Sequence, residues 1–276
     1  MKLAISNIAW ERSEDEAVRG ILAETGVRAI EIAPTKIWPD PSDVSSDEAL
    51  RYRKEWSSRG FQLIAMQALL FGRPEMTIFE SAERRSATRG YLHKMMELAA
   101  RLGIRALVFG SPKNRLAGSI PKAEAQRVAI EFFHGLGEDA ARLGVQLCIE
   151  PNPAQYGCDF VRTVQEGVSL VDAVDSAGFH LHVDSSALIL NEENVEAALA
   201  VGLGCMSHFH ISDPYLAIPG TYERIHEKIA AQLRTLGYRG FASIEMRSGQ
   251  TAPNTEAVQH ALGFARRIYG RNFECD

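Results

Sequence analysis

An apolar stripe at helical spacing, then a glycine, then a short apolar run rich in β-formers recurs along this chain. The glycines marking the joints are Gly26, Gly60, Gly103, Gly144, Gly178, the Gly202 to Gly204 segment and Gly237. Glycine suits the residue just past a helix end, where a left-handed backbone makes a Cβ costly. The stripes before the joints, such as Tyr91, Met95, Leu98 and Leu102, or Val128, Phe132, Leu136 and Leu143, or Tyr222, Ile225, Ile229, Leu233 and Leu236, are core faces of helices. Seven joints plus the opening run predict eight strands, at roughly 2–7, 28–33, 61–67, 104–110, 145–150, 179–184, 205–211 and 240–246. Helix starts are signalled as well. Ser13 with Glu16 and Ser45 with Glu48 fit the reciprocal capping box, and Pro121 suits a first helical turn.

Strict β-α alternation, with strands that read as continuous apolar runs, predicts a parallel sheet covered by helices. Eight units point to an α/β fold, a (β/α)8 TIM barrel spanning 1–276 as one domain. An open doubly wound sheet would carry a glycine-rich turn after its first strand, where this chain has Ser6-Asn7-Ile8-Ala9-Trp10. With no G-x-G-x-x-G and no Walker loop, a nucleotide cofactor has no support.

Composition narrows the partners. The 276 residues carry 30 basic and 35 acidic side chains, a net charge of −5, so no global basic face exists to hold nucleic acid or an anionic membrane. The opening MKLAISNIAW is too short for a signal-peptide core, and no run approaches the about 18 apolar residues of a membrane span. Cys148, Cys158, Cys205 and Cys275 form no paired spacing, which predicts free thiols in a reducing cytoplasm, with Cys148 and Cys205 as small core residues.

In such a barrel the active site is built at the C-terminal strand ends, so polar residues that interrupt the last positions of apolar runs are the ones to weigh. Four stand out: Glu150 closing QLCIE, Asp184 closing FHLHVD, His210 in CMSHFHISD and Glu245 in FASIEMR. One strand-end acid is ordinarily a cap or an ion pair. Four on successive strands make a shared site the better account, because charges at dry strand ends need compensation. Three carboxylates and an imidazole suit one divalent metal ion; the oxygen majority favours Mn²⁺, with Mg²⁺, Co²⁺ and Zn²⁺ also admissible.

The chain resembles the xylose isomerase-like TIM barrels, the sugar phosphate isomerase and epimerase superfamily that includes ketose 3-epimerases, inosose dehydratases and endonuclease IV. The carriers are Ile149-Glu150-Pro151-Asn152, His182-Val183-Asp184, His208-Phe209-His210-Ile211-Ser212-Asp213 and Ser243-Ile244-Glu245. Spacings of 34, 26 and 35 residues separate Glu150, Asp184, His210 and Glu245. The resemblance implies that these four are metal ligands and that Glu150 and Glu245 also carry protons. It departs at two positions: Ala187 stands where many members place a histidine, and Leu216 where ketose epimerases tend to have an arginine.

The chemistry such a site supports is a metal-stabilised enediolate, with carboxylates removing and returning the proton as base and acid. Two working faces invert a stereocentre, and one shuttling carboxylate isomerises aldose to ketose. The expected function is therefore a divalent-metal-dependent isomerase or epimerase of a sugar, sugar phosphate or polyol, with a dehydratase of the inosose or dehydroshikimate kind as the alternative. An endonuclease IV-like nuclease lacks its extra histidines here, at Gln67 and Ala187 for example, and a ligand-binding barrel without turnover is the non-enzymatic reading. Glu31, Gln67, Ser111, Lys113, Arg115, Asn152, His208 and Arg247 are expected to line the substrate pocket, with Trp38 as an apolar wall. Among them the Ser111, Lys113, Arg115 loop has a composition suited to a phosphate or carboxylate. His182 reads as a hydrogen-bonded core residue, and His93, His134, His226 and His260 as surface positions on helices. Pairing of exposed helix faces into a homo-oligomer is compatible with this plan.

Overall fold

The computed structural model describes residues 1–270. Its eight strands are β1 (Lys2–Ser6), β2 (Ala29–Ile32), β3 (Gln62–Met66), β4 (Ala106–Phe109), β5 (Gln146–Ile149), β6 (Phe179–Asp184), β7 (Met206–Ile211) and β8 (Phe241–Ile244). They close into a barrel in chain order, every neighbouring pair parallel, with β8 returning to β1. Around it run α1 (Asp15–Thr25), α2 (Ser46–Ser57), α3 (Ala82–Leu102), α4 (Lys122–Leu143), α5 (Val164–Val174), α6 (Ser185–Leu190), α7 (Val195–Gly202), α8 (Glu223–Thr235) and α9 (Asn254–Tyr269). All eight predicted strands are present, each within a residue or two of its expected span. None of the helices among the described residues is long and apolar enough to cross a membrane.

The strand sequences explain the two cores. Outward residues meet the helices in one continuous apolar layer. Inward, small side chains fill the lower lumen, where Ala4, Ala29, Ala65, Ala106 and Cys148 pack together. Two residues further along the same faces the lumen turns polar, because side chains of equal parity share a face: Ala4 is followed by Ser6, Ala29 by Glu31 and Cys148 by Glu150. Cys148 and Cys158 are buried free thiols and Cys205 is a half-buried one, while Cys275 lies outside the described residues.

Three local expectations are corrected. Ser45 and Glu48 do cap each other reciprocally, but the box near the chain start pairs Glu11 with Glu14 and leaves Ser13 and Glu16 out of it. The Glu16 carboxylate is drawn to Arg19 at 2.8 Å, while Trp10 Nε1 donates to Asp15 at 2.7 Å and sets where α1 begins. Gly178 is not left-handed; Asp175 takes that role at the end of α5, and Gly178 is needed because a Cβ there would overlap the Gly137 carbonyl oxygen. His226 is fully buried. Its Nε2 lies 2.8 Å from Asp213 Oδ1 and its Nδ1 lies 2.6 Å from the Tyr269 hydroxyl, since Asp213 follows β7 into the interior and needs donors.

Helix α4 is fastened by an aromatic cluster. Phe133, fully buried, stacks on Phe179 at 4.8 Å and meets Phe109 edge-on at 5.5 Å. Phe133→Ala is expected to cost about 3–5 kcal/mol through lost contacts and the cavity left behind, read as a lower urea midpoint at unchanged m-value.

Candidate metal centre

The strand ends converge on one spot. In the β6–β7 register His182 faces His208 and Asp184 faces His210; His210 in turn pairs with Ser243, two residues before Glu245 on the same face. Glu150 follows β5 directly. Ligating atoms of Glu150, His210 and Glu245 lie within 4.8 Å of one another. Donors that share a divalent ion stand about 3 Å apart, so the three groups would have to draw closer around an ion. His210 Nδ1 is buried, sits 3.3 Å from Glu245 Oε2 and makes no hydrogen bond. Two carboxylates and an imidazole whose unpartnered nitrogen faces them fit a divalent ion.

Asp184, expected as the fourth ligand, stands beside this group rather than in it. Its Oδ1 accepts from the Ser186 backbone N–H at 3.1 Å and from the Ser212 hydroxyl, and its Oδ2 accepts from the Ser186 hydroxyl. Those donors turn the carboxylate toward α6. The Ser186 hydroxyl also lies 3.4 Å from the Tyr156 hydroxyl, which accepts the Tyr215 N–H at 2.8 Å, so the loops after β5 and β7 are tied to Asp184 through three bonds.

Burial and crowded negative charge shape the electrostatics. The Glu150 carboxyl is pushed up to about 8, first by burial and then by Glu245 and Asp184. Asp184 is raised for the same reasons, burial and then Glu245. Burial would lower His210, but Glu31 and Glu245 on either side of it raise it well above the ordinary histidine value. Glu31 is likewise buried, yet the His210 and His208 imidazoles hold its carboxyl well below the usual range.

The expected pocket residues separate into three groups. Ser111 is half-buried with a left-handed backbone, Asn152 is buried and donates from Nδ2 to the Glu150 carbonyl at 3.3 Å, and Lys113 and Arg247 are exposed. Glu31, His208 and Gln67 are buried, the first two as neighbours in the polar layer of the lumen. Arg115 is not an anion-binding group. Fully buried, it donates to the carbonyls of Phe109 at 3.1 Å, Glu150 at 2.6 Å and Phe160 at 3.1 Å, and to that of Gly110. Its donors are spent on locking the ends of β4 and β5. Trp38 packs edge-on against Tyr52 at 5.2 Å. His182 is buried as expected, but neither ring nitrogen has a hydrogen-bond partner; it packs T-shaped on His210 with ring centres 4.1 Å apart.

Gly110 was not singled out by its sequence, although a glycine closing an apolar run was the signal that could have drawn attention to it. A Cβ at Gly110 would fall on Glu150 Oε2. Because that atom is the far end of a side chain, Gly110→Ala is expected to move the carboxylate while shifting the unfolding midpoint little. A displacement of about 1 Å can cost about 100-fold in turnover, which steady-state kinetics would read.

Metal affinity should depend on pH. A Glu150 carboxyl near 8 and a raised His210 both hold protons at pH 6 to 7, and an ion must expel them. Affinity is therefore expected to climb with pH by about tenfold per pH unit for each proton released. Titrations with Mn²⁺ across pH 6 to 8.5 check this, and a flat profile would contradict it.

The family model described as xylose isomerase-like TIM barrel matches residues 20–268. Among curated relatives, the D-psicose 3-epimerase of Agrobacterium fabrum (strain C58) is 22% identical over 273 residues, covering 90% of this chain and 91% of that protein. The crystal structure of a D-psicose 3-epimerase in the presence of D-fructose superposes with a TM-score of 0.81 at 21% identity, covering 98% of this chain and all of the other. The IOLI protein with a bound zinc atom superposes at 0.76 and 20% identity over the whole of both chains. At these identities the two structures speak for the fold. With the family model matching most of its length, the chain belongs to the xylose isomerase-like TIM barrel family.

Proposed function

We propose that this protein is a divalent-metal-dependent sugar epimerase or isomerase in which Glu150 and Glu245 carry the proton. The single observation that carries the reading is the convergence of these two acids with His210 at the C-terminal mouth of the barrel. Their side chains are 13% and 14% exposed, against 1% for His210, so they can meet a substrate while the imidazole stays beneath. Similarity to the D-psicose 3-epimerase supports a ketose or related polyol as substrate.

Glu150, Asp184, His210 and Glu245 would hold the ion, Asp184 after rotating away from Ser186 and Ser212. A divalent ion bound there supplies Lewis acidity next to the substrate carbonyl; Mn²⁺ suits the oxygen-rich set best. One glutamate removes the proton from the carbon beside the carbonyl, leaving an enediolate. The other, on the opposite face, returns a proton and inverts the centre. Because Arg115 is consumed by backbone carbonyls, the reading favours an uncharged sugar over a phosphorylated one.

Glu150→Gln and Glu245→Gln are each expected to lower turnover by about 100- to 10,000-fold with the fold intact by circular dichroism. The assay is NMR of Mn²⁺-loaded protein in D₂O with ketose pools, following deuterium entry at carbons beside the carbonyl. Wild-type exchange in either variant would contradict the scheme, and loss of water from the product would point to the dehydratase instead.

A further inference from the structure

Glu31 stands one residue before the end of β2, on the side of the barrel opposite β6 and β7, 179 residues from His210 in sequence. It is fully buried, as is the ring it meets. Both of its oxygens reach His210 Nε2, at 3.1 and 3.0 Å, and Oε1 also lies 3.4 Å from His208 Nε2. Among the described residues, the side-chain partners recorded for the Glu31 carboxylate are these two imidazoles. Expected among the pocket residues, it is instead fully buried against these two imidazoles.

We propose that Glu31 is a positioning residue that aims His210 at the metal centre. A carboxylate only accepts hydrogen bonds, so once an ion has displaced a proton from His210 the one it keeps is on Nε2, which is hydrogen-bonded to Glu31, and not on Nδ1, which faces Glu245 without a hydrogen bond. The lone pair is thereby left on Nδ1, the nitrogen directed at Glu245 with no hydrogen bond of its own. Two contacts to one nitrogen fix the ring's tilt, and His182 packed T-shaped at 4.1 Å blocks its rotation from the side. The charge behind the ring also makes Nδ1 a stronger donor to a cation. Glu31 touches neither substrate nor ion; it acts through His210. The inference rests on the metal reading above and adds the residue that prepares its only nitrogen ligand.

The test compares Mn²⁺ affinity of full-length wild type, Glu31→Gln and Glu31→Ala, read from the free-ion EPR signal. Wild type is measured first: if it binds no Mn²⁺, the metal reading itself falls and this inference with it. Given wild-type binding, Glu31→Ala is expected to weaken affinity by about 10- to 100-fold. Glu31→Gln, which keeps an acceptor oxygen without the charge, is expected to fall between the two. Unfolding midpoints are recorded alongside, so that if the alanine variant does not fold, the glutamine variant decides. A folded variant that loses stability yet binds Mn²⁺ within twofold of wild type would show a purely structural role and overturn the proposal.

Discussion

Taking carboxylates out of water is the constraint under which this barrel is built. Glu31, Glu150, Asp184 and Glu245 occupy one lumen, and three of them crowd the same strand ends. An isolated buried carboxylate costs several kcal/mol, and removing one partner of a buried ion pair costs about 3–5 kcal/mol. His210 lies between two of these acids, 3.0 Å from Glu31 and 3.3 Å from Glu245, and both raise it. Glu150, with His182 Nε2 only at 3.7 Å and no hydrogen bond between them, is pushed toward its neutral form by burial and then by Glu245 and Asp184. The lumen thus divides its charge: a paired lower layer, and an upper layer whose repulsion a divalent ion would relieve.

The backbone around the site answers the same constraint. Arg115 places a buried cation among the carbonyls that end β4 and β5, drawing the Glu150 carbonyl toward it while the Glu150 side chain runs into the space that Gly110 leaves open. Asn152 and Arg115 both bond the Glu150 carbonyl. Ser186 and Ser212 do for the Asp184 side chain what an ion would do from the other side. Every acid at the mouth is therefore either donated to or stands next to a nitrogen.

The departures from the family pattern fit a mouth of different lining. Ala187 is buried in the short helix α6, and Leu216 follows Tyr215 in a left-handed stretch of the loop after β7. That loop is held by Asp213, which accepts from Gly220 and Thr221, and by the Tyr156 hydroxyl beneath Tyr215. Tyr215 itself is 62% exposed and meets Tyr156 edge-on at 5.7 Å. Aromatic rings and hydroxyls frame this part of the opening, with the exposed Arg247 beside them, its backbone N–H donating to the Leu216 carbonyl at 3.0 Å.

Strand number, parallel order and the four strand-end groups were all legible along the chain, because each is written in short-range pattern. A run of five or six apolar residues ending in an acid states both a strand and its polar end, whatever surrounds it. Partner choice is different in kind. Glu31 and Lys113 both look like pocket residues in the sequence, yet one lies sealed against His210 and the other in solvent. Arg115 reads as an anion binder until five backbone carbonyls from three chain segments close over it. By itself the sequence determined the barrel and which residues stand at its functional end, since periodicity and residue type act locally. Only the tertiary structure decided which charge meets which, because closing eight strands into a ring brings together groups far apart in sequence, such as Glu31 and His210, 179 residues apart, and burial then favours the pairs that neutralise each other.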